Sequence, residues 1–358
     1  MKQPTTLPAR LPMTLGLDLG DRTTKWCLVG DQGVVKEGSA QTDAASLKKA
    51  CEIAMSRGAE RVVMEVGTHS PWISRELASL GIEVVVADPH AVKLIWAAGR
   101  KSDRRDAQVL ARLGRADIEL LHPVQHRGAQ AQADLSLLRS RAQLVEVRTC
   151  LINHVRGSCK SVGTRLPKCS AESFHKMVAD SIPAELKKAQ GAMLDSIARL
   201  SANIKELEVE VQRMSRESYP ETQRLTQVVG VGPITALTFV LTVEQPARIV
   251  QTRNVGAYFG LVPGCSQSGG RDPELHISKR GDDDVRRLLV TCAQYILGPF
   301  GPDTDLRRFG QRLEAKGGKA AKRRAVVAVA RKLAILLLSL WRSGQTYQPI
   351  KNSSAVVA

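Results

Sequence analysis

MTLGLDLGDRTTKWCLVG, Met13 to Gly30, runs apolar as a β-strand, breaks at Gly20-Asp21 and resumes as a second strand, TKWCLVG. The acidic turn Asp31-Gln32-Gly33 then leads into VVKEGSA, so residues 13–38 read as three short strands joined by tight turns. One residue is out of place. Asp18 stands inside LGLDLG, where a carboxylate buried without a partner costs on the order of several kcal/mol.

Outward from that stretch, Leu47, Cys51, Ala54 and Met55 mark the apolar side of a helix. RVVMEVG (61–67) is an apolar run that repeats the anomaly with Glu65, and a helix is expected from Pro71 to Leu80. IEVVVADP (82–89) is nearly continuous in apolar residues, as a strand buried on both faces would be. A three-strand meander followed by alternating helix and strand predicts an α/β layer with a mixed sheet. KSDRRDAQVLARLGR, Lys101 to Arg115, is then the helix that closes it.

From about 129 to 217 the pattern is helical. Met193, Ile197, Leu200, Ile204, Leu207, Val211 and Met214 recur in steps of four and three, with Leu186 extending the seam backwards. Residues 135–155 form the facing helix and Gly157 to Pro183 break the two apart. That predicts an antiparallel hairpin or a dimerising coiled-coil arm, with two core helices of a bundle as the plainer alternative. The last third opens with VVGVGPITALTFVLTV and ends in the basic helix KAAKRRAVVAVARKLAILLLSLW. The expected class is α/β plus α: a flexible start at 1–12, an α/β domain at 13–128, a helical arm at 129–217, a mainly helical domain at 218–345 and a flexible tail at 346–358.

Lys and Arg number 52 against 35 Asp and Glu, a net charge of +17. Clustered cations gain affinity for polyphosphates by releasing counterions, which points to nucleic acid. Aromatics are only 4%, so base stacking is not the main source of binding. The seven cysteines are odd in number and without a CxxC pair, which argues against disulfides or a zinc knuckle and for a reducing compartment. The start is polar and broken by proline, unlike a signal peptide, and LAILLLSLW falls far below the ~18–20 residues of a membrane span. The expectation is a soluble, intracellular protein with no membrane partner.

Four carboxylates can converge in the α/β layer: Asp18, Glu65, Asp103 and Asp106. Residues three apart share a helix face, so Asp103 and Asp106 can serve one site. The bland account is a helix start, with Ser102 as N-cap and acids favoured by the helix dipole, and a salt bridge for Asp18. The sharper one is a metal site: hard oxygen ligands without His or Cys suit Mg²⁺ or Mn²⁺. Lys101, Arg104 and Arg105 would bring a phosphate backbone to it.

A second cluster lies at NVGAYFGLVPGCSQSGGRDPELHISKRGDDDVRRLLV. Gly269 and Gly270 let a backbone approach phosphate closely, while Arg271, Lys279 and Arg280 would hold it. Ser268 among them is a candidate nucleophile, with Ser266 second; alone, SGG is a flexible turn. GVGPITA looks like a helix-hairpin-helix turn in which Gly230 and Gly232 expose backbone N–H groups to phosphate, or else a glycine-capped helix junction. No P-loop occurs, so ATP is not implied. The seven histidines take structural readings, although His276 is near enough to SGG to touch a phosphate.

GLDLG, MEVG and KSDRRDAQVLARL together resemble the D-E-D-D set of RuvC-like, RNase H-fold nucleases. More closely they resemble the transposases of insertion-sequence family one-ten, where Asp-x-x-Asp-Ala opens the last helix of that domain. Tyr258 to Arg287 follows the family's Gly-Leu-x-Pro, Ser-Gly-Gly, Ile-Ser/Thr-Lys-x-Gly and Leu-Arg pattern, with Val285-Arg286 at the final pair. The resemblance implies a RuvC-like metal domain using Asp18, Glu65, Asp103 and Asp106. It also implies a DNA-attacking Ser268, a serine recombinase that cuts and rejoins donor and target DNA, and a structured noncoding (bridge) RNA. A dimer or tetramer in the prokaryotic cytosol or nucleoid is implied as well, in which the carboxylate domain of one subunit and the serine domain of another share a site. Three rivals remain open: a RuvC-like endonuclease using water, an actin-like sugar kinase suggested by LGLDLGDRTTK, and a non-catalytic nucleic-acid-binding scaffold.

Overall fold

The structure, a computed structural model, describes residues 11–95, 103–266, 273, 275–318 and 320–350. The flexible ends expected at 1–12 and 346–358 fall largely outside these residues. The chain divides into two units, residues 1–129 and 130–358.

The first unit is built on a five-stranded mixed sheet. In chain order it holds β1 (Thr14–Leu19), β2 (Thr23–Gly30), β3 (Gly33–Gln41), α1 (Ala44–Met55), β4 (Arg61–Glu65), α2 (Ser70–Ala78), β5 (Glu83–Ala87), α3 (Pro89–Ile95) and α4 (Asp103–Ala116). The strand order is β3-β2-β1-β4-β5. The meander half is antiparallel and the β1-β4-β5 half parallel, with Leu17 placed between Trp26 of β2 and Met64 of β4. Alternation along the strands divides the core. Leu15, Leu17, Val62, Met64 and Val86 pack on Leu47, Cys51 and Ala54 of α1 and on Ile73 and Leu77 of α2. The opposite face gives Cys27, Val29, Val63 and Val85 to Ala107, Leu110 and Ala111 of α4. Both faces are covered, which is why the central strands read as nearly unbroken apolar runs.

Beyond α4 the chain returns alongside β5. Leu121 O accepts from Asp88 N at 2.9 Å, and Val124 N donates to Val86 O at 2.8 Å. His126 Nε2 lies 2.8 Å from Ser70 Oγ, and Arg75 donates to Arg127 O at 3.0 Å, tying this strap to α2.

The second unit is helical. Its elements are α5 (Ala129–Ser161), α6 (Phe174–Met177), α7 (Lys187–Glu217), α8 (Thr222–Leu225), α9 (Pro233–Val243), α10 (Val255–Tyr258), α11 (Asp283–Leu297), α12 (Asp305–Glu314) and α13 (Ala321–Ser343). Helices α5 and α7 run antiparallel: Arg141 pairs with Glu208, and Arg148 donates to Ser201 Oγ at 3.2 Å. Ile197, Ile204 and Val211, one per heptad, are buried, while Met193, Leu200 and Leu207 are half-buried. Gly157 does not end α5. Buried Cys159 packs with Ile197 and Phe174, and this tertiary contact outweighs the ~1 kcal/mol helix cost of glycine. The expected break is shorter and is filled: Leu166, Phe174, Val178 and Ile182 complete that core. Helix α9 is buried along Thr235–Val243 and shares a core with Leu289 and Ile296 of α11 and Leu333 and Leu337 of α13. Among the described residues no helix is long and apolar enough to cross a membrane.

Candidate functional site

The carboxylates are positioned by how α4 lies on the sheet. Gly16 permits the contact: a Cβ there would fall 2.0 Å from Ala107 O and 2.6 Å from Ala111 N. Further along α4, Gly114 leaves the same kind of room, since a Cβ would fall 2.2 Å from Val63 Cγ2. Gly16 and Val63 are themselves neighbours in the β1–β4 ladder. Strand side chains alternate, so Asp18 and Glu65, two residues beyond Gly16 and Val63, face the α4 layer side by side. They stand one step past the last ladder pair, Leu17–Met64.

Asp18 is thus the fifth residue of a six-residue strand, half-buried at the strand's carboxyl end. Helix α4 enters the same layer with Asp106, which is 9% exposed, directly before Ala107; Asp103, its first residue, is exposed. The fold therefore brings Asp18, Glu65 and Asp106 to one end of one layer and leaves Asp103 at its rim. Among the described residues, no three His, Cys, Asp or Glu side chains close into a group that could hold an ion. The donor set is nevertheless all hard oxygen, the chemistry Mg²⁺ or Mn²⁺ takes.

The arginines of this segment divide. Arg104 Nε donates to Glu37 of β3 at 2.7 Å, so it is engaged within the unit, while Arg105 is exposed. Lys101 and the expected cap Ser102 lie outside the described residues. A feature missed by the sequence reading sits just beyond the carboxyl ends of β1 and β4. His69 Nε2 lies 3.5 Å from the Asp21 carboxylate, and Trp72 Nε1 donates to His69 Nδ1 at 3.2 Å. An indole only donates, so Nδ1 must accept and Nε2 carries the proton towards Asp21. The two residues are far apart in sequence, and nothing in their spacing announced the pair.

In the second unit, the stretch after α10 forms a narrow stem. Gly264 N donates to His276 O at 2.9 Å, Ser278 N to Val262 O at 2.8 Å and Lys279 N to Gly260 O at 3.2 Å, around an antiparallel bridge between Pro263 and Ile277. Cys265 and Ser266 continue from it, both exposed. Ser268, Gly269, Gly270 and Arg271 lie outside the described residues. Lys279 and Arg280 are exposed at the foot of the stem. In the GVGPITA turn, Gly230 (φ +83°) packs against Tyr295 and Ile296 of α11, while Gly232 is exposed as the N-cap of α9 with Pro233 behind it.

Comparison with known proteins supplies the family. Residues 222–305 match the family model described as Transposase IS116/IS110/IS902 family, and residues 15–162 match a DEDD transposase model of the IS110 type. The transposase for insertion sequence element IS1111A of Coxiella burnetii is 28% identical over 348 residues, spanning 93% of this chain and 91% of its own. A protein of Pseudomonas aeruginosa described as a probable family 20 transposase is 31% identical over 295 residues, 80% of this chain and 86% of its own. The transposase for insertion sequence element IS1328 of Yersinia enterocolitica is 27% identical over 264 residues, 73% of this chain and 74% of its own. With both matches in order along the chain and a relative above 30% identity over four-fifths of it, the chain belongs to the IS116/IS110/IS902 family of transposases, enzymes that cut and rejoin DNA.

Proposed function

We propose that this transposase joins DNA through a serine nucleophile assisted by a RuvC-like carboxylate site, with a structured noncoding (bridge) RNA directing it to donor and target DNA. The observation that carries the reading is the delivery of Asp18, Glu65 and Asp106 to one end of the α4 layer, with Asp103 at the rim. Asp18, Glu65, Asp103 and Asp106 would hold Mg²⁺ or Mn²⁺. Such an ion, when bound, neutralises charge on the attacking and leaving oxygens of a phosphodiester.

Ser268 Oγ attacks the scissile phosphorus: the Oγ–P bond forms, the P–O bond to the departing deoxyribose oxygen breaks, and that oxygen ends as a hydroxyl. The serine proton passes to a base. Because the phosphoserine keeps an ester bond, the reverse attack by a DNA hydroxyl rejoins strands without further energy input. Gly269 and Gly270 admit the phosphate to the backbone, and Arg271, Lys279 and Arg280 balance its charge. The α5–α7 hairpin holds two or four copies together, and the protein works in the cytosol.

The test uses the full chain, the element's candidate noncoding RNA and labelled DNA carrying the joined element ends. After quenching in SDS with Mg²⁺ present, wild type should give a covalent protein–DNA adduct. Ser268→Ala should abolish it, and Asp106→Asn or Asp103→Ala should reduce its rate by about 100-fold or more. Cleavage without adduct that survives Ser268→Ala would mean a water-using nuclease instead.

A further inference from the structure

Loop 260–281 is closed at its foot by one buried side chain. Arg286, on the first turn of α11, is 8% exposed, and its Nη1 donates both to Phe259 O at 3.1 Å and to Arg280 O at 3.3 Å. Phe259 is the last residue before the loop and Arg280 the next-to-last residue within it, so a single nitrogen ties the entering strand to the leaving one. Nη2 of the same guanidinium pairs with Asp283, which fixes the plane of the fork.

The two strands also cross where side chains have no room. Gly260 (φ +66°) would place a Cβ 2.2 Å from Arg280 O, and Gly281 (φ +84°) would place one 2.0 Å from Tyr258 O. The clamp rests on rigid ground. Phe259 is fully buried against Phe239, Val285 and Leu289 belong to the same core, and Asp282 caps α11 by accepting from Val285 N at 3.1 Å. Above it, the three stem hydrogen bonds carry the order outward to Cys265 and Ser266, from which the chain continues to Ser268.

We propose that Arg286 is a positioning residue for strand joining: by holding the carbonyls of Phe259 and Arg280 it fixes the stem that presents the serine loop to DNA. This rests on the serine reading above. The residue touches neither DNA nor the reacting atoms. Its effect belongs on the rate of the bound complex, because a nucleophile displaced by about 1 Å loses roughly 100-fold without loss of substrate affinity. Arginine suits the place because one planar, permanently charged group can serve two carbonyls from inside a core. A methylene chain would leave both oxygens facing apolar surface.

The experiment uses the full chain with the RNA and DNA above. It reads adduct formation at saturating DNA, DNA affinity by gel shift, and amide hydrogen exchange. Arg286→Met should keep affinity within about twofold and slow adduct formation by about 10- to 100-fold. The Gly264, Ser278 and Lys279 amides should exchange faster while those of α11 from Leu289 onward do not change. Arg286→Lys, still able to reach one carbonyl, should recover part of the rate. Should Arg286→Met fail to fold, Gly260→Ala pries open the same foot with the arginine in place and should show the same signature. A wild-type adduct rate in either folded variant, or unchanged exchange at Ser278 and Lys279, overturns the proposal. An adduct that survives both Ser268→Ala and Ser266→Ala would instead sink the serine reading, and the exchange data then decide the clamp alone.

Discussion

At the scale of single residues, two glycines seat the helix that brings Asp106 to the layer faced by Asp18 and Glu65. Gly16 lets α4 approach the backbone of β1 and Gly114 makes room for the Val63 side chain of β4, so the helix that carries Asp106 is seated on the face to which strand alternation turns Asp18 and Glu65. Gly16→Ala would put a methyl group 2.0 Å from Ala107 O, a backbone atom that cannot rotate away. Overpacking of this kind costs about 1–3 kcal/mol. Denaturant unfolding should register that loss in the first unit, and a variant as stable as wild type would show that α4 does not rest on Gly16. Asp18 and Glu65 were legible in the sequence as carboxylates in apolar runs. Gly16 and Gly114 were not, because a glycine reveals close packing only when its partner is known, and α4 follows Gly16 by some ninety residues.

At the scale of elements, stretches with a hydrophobic pattern were legible in the sequence and the strap after α4 was not. The meander and the parallel strands carry short apolar runs and the two long helices a helical repeat, and each such pattern appears where expected. The strap after α4 carries none, since its placement depends on hydrogen bonds to β5 and α2. His126 within it is a pH-dependent tie. Burial first, then the charges of Arg75 and Arg127, lower its pKa from the usual 6.5. Folded, the ring stays neutral at a pH where the unfolded chain already takes up a proton, so acid favours unfolding. The stability present above about pH 6.5 is therefore lost progressively as pH falls below 6.5 towards the lower folded value. His126→Gln keeps a polar side chain near Ser70 but cannot titrate. Comparing denaturation midpoints at pH 7.5 and 5.5, wild type should lose more stability than the variant; equal losses would show that His126 is not the titrating tie.

For the whole molecule, the net charge of +17 is unevenly divided. Residues 1–129 hold 18 Lys and Arg against 15 Asp and Glu, and residues 130–358 hold 34 against 20, so the helical unit carries +14 and the sheet unit +3. The sheet unit is nearly balanced in charge, whereas the helical unit holds most of the surplus cations that a phosphate backbone attracts. Phosphate contacts release counterions, so affinity for duplex DNA should fall steeply with salt, by about 10³–10⁵ between 50 and 200 mM if roughly six to ten phosphates are held. The contributors should lie in the helical unit. Lys322 and Arg323 are exposed at the start of α13, and replacing both with alanine should lower the slope of log K against log salt by about two. Lys48 and Lys49 are also exposed, but they lie on α1, which covers the sheet face opposite the carboxylates. Replacing that pair should leave the slope unchanged within error. Equal slope changes from the two double variants, read by fluorescence anisotropy across the salt range, would mean that DNA is held by charge spread over both units rather than by a surface concentrated in one.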